Sequence, residues 1–182
     1  MGFTIRDFQP ADFDRLWRID QECFPPGISY SRLELKVYMR RRGAFTLVAV
    51  DGEGEGTGDP ILGRSKKSPS QKPARRSEIE GFIVAEAGRG SGHIITIDVM
   101  DGARRSGVGS LLLRSAEERL RVAQCRTVEL ETAVDNISAL AFYKRHGYGV
   151  IGTLPRYYTN GVDALVLRKE LAVTPRLSYS EP

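Results

Sequence analysis

The chain has 182 residues, of which 41% are hydrophobic and 27% charged, with a formal net charge of +4. This length and content predict one domain with a sizeable core. No run reaches the roughly 18 apolar residues of a membrane span, and the first residues lack an apolar stretch of signal-peptide length, so we expect a cytoplasmic protein without membrane partners. Cys23 and Cys125 are too few and too far apart to predict a disulfide framework or a metal site.

Apolar patterns divide the chain into strands and helices in the order β-α-α-β-β-β-α-β-α-β-β. This order predicts an α/β fold with a mixed sheet and helices on both faces. In the first helix Asp20 interrupts an apolar stripe, and the turn Phe24-Pro25-Pro26-Gly27 ends the helix. The predicted elements are a strand at 3–8, helices at about 10–24 and 29–41, strands at 44–50, 79–86 and 93–100, a helix at about 108–123, a strand at 127–132, a helix at 135–146, and strands at 149–153 and 163–169.

Residues 51–78 interrupt this pattern with glycine, proline and basic side chains. Such a composition cannot bury enough apolar surface to offset the entropy lost on ordering, so we interpret it as a flexible insertion in a hairpin connection. A solvated loop without a role is one interpretation of its basic half, and contact with RNA or an acidic partner is the other. Residues 173–182 are expected to form a loose tail, which leaves a single domain at 3–171.

The segment Arg104-Arg105-Ser106-Gly107-Val108-Gly109-Ser110 joins a predicted strand to a predicted helix. Free N–H groups at a helix start, together with the helix dipole, bind phosphate groups. The two glycines let the backbone approach a ligand closely, and the arginines add positive charge. This pattern predicts a phosphate or pyrophosphate site, although an ordinary strand-to-helix turn is the alternative.

A second motif lies in the helix that Asp135 or Asn136 is predicted to cap and Gly147 to end. With the glycine turn, it resembles the GCN5-related N-acetyltransferase (GNAT) superfamily. The superfamily's Gln/Arg-x-x-Gly-x-Gly/Ala motif is matched at residues 104–109, and its Asn-x-x-Ala-x-x-x-Tyr-x-x-x-Gly-Phe/Tyr helix at residues 136–148. The resemblance implies a GNAT-like fold with splayed parallel central strands, and acetyl transfer from acetyl-CoA to an amine in a ternary complex.

Within the superfamily the chain is most similar to the RimI-type N-terminal acetyltransferases. The similarity is carried by Thr96-Ile97-Asp98-Val99, Leu130-Glu131 and the segment Arg156-Tyr157-Tyr158-Thr159-Asn160-Gly161-Val162-Asp163-Ala164. It implies that the acceptor is the N-terminal α-amine of a protein such as a ribosomal protein. A small-molecule amine, of the antibiotic or polyamine type, is the alternative acceptor.

The resemblance also implies roles for individual residues. Glu131 is expected to take the proton of the ammonium group, in preference to Glu129, and Tyr143 to protonate the thiolate of CoA. Tyr157 and Tyr158 are candidates to hold the acceptor's backbone. Backbone N–H groups of Val99 and Met100 are expected to polarise the thioester carbonyl. The expected cofactor-binding residues are Val99, Met100, Arg104, Arg105, Ser106, Gly107, Val108, Gly109, Ser110, Asn136 and Tyr143.

Alternatives from other classes stay open at this point. The isoelectric point near 9.2 is compatible with a basic nucleic-acid-binding module, although the basic residues alternate with glycine and proline rather than with stacking aromatics. An inactive acyl-CoA sensor would keep the same motifs. His93 and His146 are not expected to form a nucleophilic triad, because neither has an evident partner. We expect no metal, no specific nucleic acid, and a monomer or weak dimer.

Overall fold

A computed structural model describes residues 2–52 and 78–172, which build a seven-stranded mixed sheet with helices packed on both faces. The predicted order of elements and the α/β class are confirmed. The predictions for the insertion and the tail lie outside the described residues.

The elements are β1 (Phe3–Asp7), a 3-10 turn (Pro10–Asp12), α1 (Phe13–Cys23), α2 (Arg32–Met39), β2 (Ala44–Asp51), β3 (Ile79–Ala87), β4 (Ser91–Val99), a 3-10 turn (Asp101–Ala103), α3 (Val108–Val122), β5 (Thr127–Ala133), α4 (Ile137–Arg145), β6 (Gly149–Leu154) and β7 (Ala164–Glu170).

The strand order is β1-β2-β3-β4-β5-β7-β6, and only the central pair β4 and β5 is parallel. These two strands pair only at their starts, from Ser91 opposite Thr127 to His93 opposite Glu129. Directly after this stretch β4 carries a bulge at Ile95, where its register with β3 shifts. A bulge bends a strand and increases its twist. The carboxyl-terminal halves of β4 and β5 therefore separate, as the resemblance implied, and a cleft opens between them.

The apolar faces of the sheet form two cores. One lies under α3 and includes Leu112, Leu113 and Leu120, while the other lies under α1 and α2 and includes Leu16 and Leu35. On the α3 face, a Cβ at position 92 of β4 would lie 2.6 Å from a methyl carbon of Leu120. Because glycine occupies that position, α3 packs close to the strand that leads into the cleft.

Helix α2 is shorter than the predicted 29–41, because Ser31 caps its start and it ends at Met39. The Ser31 hydroxyl accepts the N–H of Glu34 at 3.2 Å, and the Glu34 carboxylate accepts the N–H of Ser31 at 2.8 Å. This reciprocal pair is a capping box, whose serine-to-glutamate spacing was visible in the sequence. Ser29 and Tyr30 therefore belong to the loop between α1 and α2, which borders the cleft.

Candidate active site

The glycine turn before α3 presents a row of unpaired backbone donors. Among the residues that the structure describes, no backbone carbonyl accepts the N–H groups of 105–110. Arg105 and Gly107 have φ of 62° and 95°, the left-handed conformation that curls consecutive N–H groups into an anion-binding concavity. Apart from its chain neighbours, no described residue has a heavy atom within 4 Å of the position that a Cβ on Gly107 would take. The turn thus has the donors and the open space that a diphosphate requires.

The arginine side chains of this turn contribute less than the backbone. The Arg104 guanidinium donates to the Val99 carbonyl at 3.1 Å and pairs with Asp101 at 2.6 Å, so its charge is partly neutralised by the loop itself. Arg105 is exposed. A Cβ at position 109 would be in ordinary contact, at 3.5 Å, with the ring of Phe142. A side chain as small as alanine would therefore fit between α3 and α4 at position 109, and helix packing does not explain this glycine.

The two N–H groups predicted to polarise the thioester carbonyl differ in direction. The N–H of Met100 donates to the Glu80 carbonyl at 2.9 Å, so the prediction for Met100 is corrected. In an antiparallel ladder, hydrogen-bonded pairs alternate with non-hydrogen-bonded pairs. Val99, which is opposite Gly81 in the next pair, therefore directs its N–H away from β3 and toward the cleft.

Glu131 and His93 meet across the point where β4 and β5 begin to separate. Nε2 of His93 lies 2.7 Å from Oε2 of Glu131, and this bond raises the pKa of His93 although burial opposes it. Glu129 is instead paired with Arg168 at 2.6 Å. Sequence analysis did not predict this pairing of His93 with Glu131. The pairing follows from the register of the two parallel strands, which no local pattern in the sequence shows.

Tyr143 lies on α4 with only 6% of its surface exposed. Burial raises the pKa of its phenol well above the ordinary value, so the hydroxyl carries its proton at neutral pH. At the start of α4, the side chain of Asn136 accepts the N–H of Ala139 at 3.1 Å. Asn136, rather than Asp135, is therefore the N-cap.

Two loops that are distant in sequence meet beside the cleft. The Thr159 hydroxyl, in the β6–β7 loop, donates to the carbonyl of Gly27, in the α1–α2 loop, at 2.7 Å. Tyr157 is half exposed, and Tyr158 has a pKa raised to about 12 by burial and then by Tyr157 and Glu131. Burial also raises the pKa of Tyr157, and after burial the charge of Glu131 raises it further, so Glu131 is within electrostatic range of both phenols.

Sequence analysis did not predict that two further tyrosines, Tyr30 and Tyr38, lie close to Tyr157 and Tyr158. The ring centroids of Tyr30 and Tyr38 lie 5.0 Å apart. After burial, Tyr38 and Tyr157 raise the pKa of Tyr30, and Tyr38 contributes to the raised pKa of Tyr157. Burial is the main cause of the raised pKa of Tyr30. Both tyrosines come from the region around α2, so only the tertiary contact between the two loops assigns them to the site.

Within residues 2–52 and 78–172, no three His, Cys, Asp or Glu side chains are grouped so as to hold a metal ion. In the same two ranges, every helix is too short or too polar to cross a membrane.

Comparisons with known proteins agree with this geometry. The model of the Acetyltransferase (GNAT) family matches residues 13–148, so the chain belongs to that family. It is 29% identical over 167 residues to the uncharacterized N-acetyltransferase MJ1530 of Methanocaldococcus jannaschii, with 91% of this chain and 90% of that protein covered. It is 28% identical to the N-alpha-acetyltransferase of Sulfurisphaera tokodaii, with 93% of both chains covered.

Solved structures share the fold. Ard1 from Thermoplasma volcanium superposes with a TM-score of 0.75 at 24% identity, covering 94% of this chain and 99% of that one. A chain of the NatC complex bound to Gag peptide and CoA superposes with a TM-score of 0.71 at 22% identity, covering 94% of this chain and all of that one. Family, relatives and fold together define an acetyl-CoA-dependent N-acetyltransferase.

Proposed function

We propose that this enzyme acetylates the N-terminal α-amine of a protein, such as a ribosomal protein, by direct attack in a ternary complex. The observation that carries the proposal is the Glu131–His93 pair at the separation of β4 and β5, with Tyr157 and Tyr158 beside it. N-alpha-acetyltransferases among the relatives, and a structural neighbour bound to a peptide and CoA, support the same acceptor class.

The chemistry of the acceptor fits the modest basicity of this site. An α-amine has a pKa of roughly 7.7–8.0, so about 10% or more is neutral at pH 7, whereas a lysine side chain, with a pKa near 10.4, is only about 0.04% neutral. A single carboxylate aligned by a histidine suffices to remove the proton of an α-ammonium group. Glu131 takes that proton, directly or through water, and His93 fixes the orientation of the Glu131 carboxylate by donating to Oε2.

The remaining residues bind, orient and supply a proton. Acetyl-CoA brings the acetyl thioester to the site. The N–H groups of 105–110 hold the diphosphate, and the N–H of Val99 donates to the thioester carbonyl oxygen. The protonated phenol of Tyr143 holds the proton that the sulfur requires when the acetyl group departs. Tyr157 and Tyr158 hold the backbone of the acceptor peptide.

A thiol-release screen tests the proposal. The full chain is incubated with acetyl-CoA and three matched acceptors: peptides with free N-termini, the same peptides with blocked N-termini, and small amines including polyamines. We expect release with the free N-termini and little with the blocked ones. Turnover restricted to small amines would assign the enzyme to the alternative acceptor class, and binding of acetyl-CoA without turnover would indicate an acyl-CoA sensor.

A further inference from the structure

Two carboxyl groups that the proposed reaction does not use are buried under the cleft. Asp20 on α1 is 0% exposed and Asp98 near the end of β4 is 1% exposed. Aspartates are almost never fully buried unless they are paired. Yet no ion pair within 2–52 and 78–172 includes either carboxyl group. Their burial therefore requires another explanation.

Each carboxyl group has one satisfied and one unsatisfied oxygen. Oδ2 of Asp20 accepts the N–H of Tyr30 at 2.8 Å and the amide of Gln21 at 2.9 Å, and Oδ1 of Asp98 accepts the hydroxyl of Thr96 at 2.8 Å. Oδ1 of Asp20 and Oδ2 of Asp98 are buried without a partner among the described residues. Cys23, one turn after Asp20 on α1, donates to the carbonyl of Val99 at 3.4 Å, so this turn of α1 packs against the end of β4 that carries Asp98. Two carboxylates cannot satisfy each other, because both are acceptors. One proton on Asp98 supplies the missing donor.

The electrostatic surroundings favour retention of that proton. Burial raises the pKa of Asp20 to about 6, and burial together with the charge of Asp20 raises the pKa of Asp98. The other ionisable groups that face the two carboxyls are Glu34, which raises the pKa of Asp20, the neutral Cys23, Tyr30 and Tyr143, and Arg104. Arg104 is the cation that affects Asp98, and its guanidinium is bonded to Asp101 and the Val99 carbonyl.

We propose that Asp20 and Asp98 share one proton, and that this carboxyl pair positions the acceptor loop, residues 24–31, against the end of β4. The inference rests on the proposed function, since that loop is taken to border the acceptor peptide. Both aspartates are positioning residues.

The contacts of the pair reach both halves of the proposed site. On one side, Gln21 donates to Asp20 and to the carbonyl of Tyr30 at 2.8 Å, so the end of the acceptor loop is bound to α1 through both of its backbone groups. The same loop is joined to Thr159 through Gly27. On the other side, Asp98 immediately precedes Val99, whose N–H is directed into the cleft. Loss of the shared proton would thus act on acceptor binding first.

Steady-state kinetics with a free-N-terminus peptide test the positioning role. In Asp98→Asn the side-chain amide donates to Asp20 while its oxygen still accepts from Thr96, so the KM for the peptide should stay within about twofold. In Asp98→Ala the Asp20 carboxylate loses its donor, and the KM for the peptide should rise about tenfold, with the KM for acetyl-CoA changed less than about twofold.

Asp12→Asn is the matched control. Asp12 lies at the start of α1, the helix that carries Asp20, where it accepts the N–H of Gln9 at 2.8 Å and pairs with Arg6. Its substitution should therefore lower stability without breaking a contact of the acceptor loop. The KM for the peptide should not change in this variant. An equal rise in both KM values of Asp98→Ala, or a rise in Asp12→Asn as large as in Asp98→Ala, would overturn the positioning role.

Infrared spectroscopy tests the shared proton independently of activity. Protein labelled with ¹³C at the aspartate carboxyl carbons should show an isotope-shifted band of a protonated carboxyl group at pH 7. The band should be lost in Asp98→Asn, because the remaining Asp20 carboxyl, with a pKa raised to about 6 by burial, is mostly ionised at that pH. A wild-type spectrum with only carboxylate bands would overturn the inference. Because this readout needs no acceptor, it separates a failure of the inference from a failure of the proposed function.

Discussion

The turn at residues 104–110 and the acceptor wall formed by Tyr30, Tyr38, Tyr157 and Tyr158 flank the same cleft, but they are built differently. The turn uses consecutive backbone N–H groups within one short segment. The acceptor wall uses side chains from helix α2 and from two loops that are joined by a hydrogen bond spanning 132 positions of sequence. Backbone donors recognise a phosphate whatever the surrounding side chains are. Side chains on loops can change without altering the fold, so this wall is where we expect acceptor choice to be determined.

The largest expected effect is a loss of acetyl-CoA affinity when Gly107, in the turn at residues 104–110, is substituted. Gly107→Val places a branched residue at a φ of 95°, a conformation that costs an L-residue roughly 1–2 kcal/mol, and fills the open space above the N–H groups. We expect the Kd for acetyl-CoA, measured by calorimetry, to rise at least about a hundredfold. Gly90→Val is the control, because Gly90 has a φ of 85° in similarly open space in the β3–β4 hairpin. Tight binding retained by Gly107→Val would contradict the phosphate assignment.

The next effect concerns the proton acceptor. Glu131→Gln keeps the shape of the side chain but removes its basicity, so kcat should fall about a hundredfold while acetyl-CoA still binds. Glu129→Gln is the matched control on the same strand face, and its loss of the Arg168 pair should leave kcat within about twofold. Equal rates for the Glu131 variant and the wild type would remove Glu131 from the reaction.

A smaller effect is expected for the proton donor. Tyr143→Phe should lower kcat about tenfold or more without weakening acetyl-CoA binding, since only the hydroxyl is removed. Tyr148→Phe serves as the control, because that neighbouring phenol donates to Glu117 at 3.0 Å. The control variant should lose stability but keep its turnover. If the two variants lost turnover equally, packing rather than proton donation would explain Tyr143.

Removal of the hydrogen bond between the α1–α2 and β6–β7 loops should weaken binding of the acceptor peptide alone. Thr159→Val removes the hydroxyl that donates to the Gly27 carbonyl, and we expect the KM for peptide to rise about threefold with the KM for acetyl-CoA unchanged. Thr153→Val on β6 is the control. An equal rise in the KM for acetyl-CoA would show that the two sides of the cleft are not separable.

The smallest expected effect is a pH dependence of stability. Because the Glu131 bond raises the folded-state pKa of His93, its contribution is full below the unfolded value of about 6.5 and is lost as the pH rises through the folded value. His93→Gln should therefore lower Tm by more at pH 5.5 than at pH 9. A deficit that is constant across this range would contradict the charged His93–Glu131 pair.

How far the sequence predicts the molecule depends on which contacts are local. The glycine turn and a helix cap at Asp135 or Asn136 were predictable because spacing within one segment determines them, and the structure selects Asn136. The partner of His93 was not, because strand register brings it to Glu131 over 38 positions. Asp20 was visible only as a polar interruption of an apolar stripe, and its meaning depends on Asp98 in a distant strand.

The most direct test of the proposed acceptor is to map the acetyl group on a peptide that carries both a free N-terminus and an internal lysine. Tandem mass spectrometry after reaction with wild-type enzyme should locate acetylation on the α-amine, and Glu131→Gln should reduce that product about a hundredfold. Acetylation on the lysine side chain, or undiminished product with the variant, would contradict the proposal that Glu131 takes the proton of an N-terminal amine.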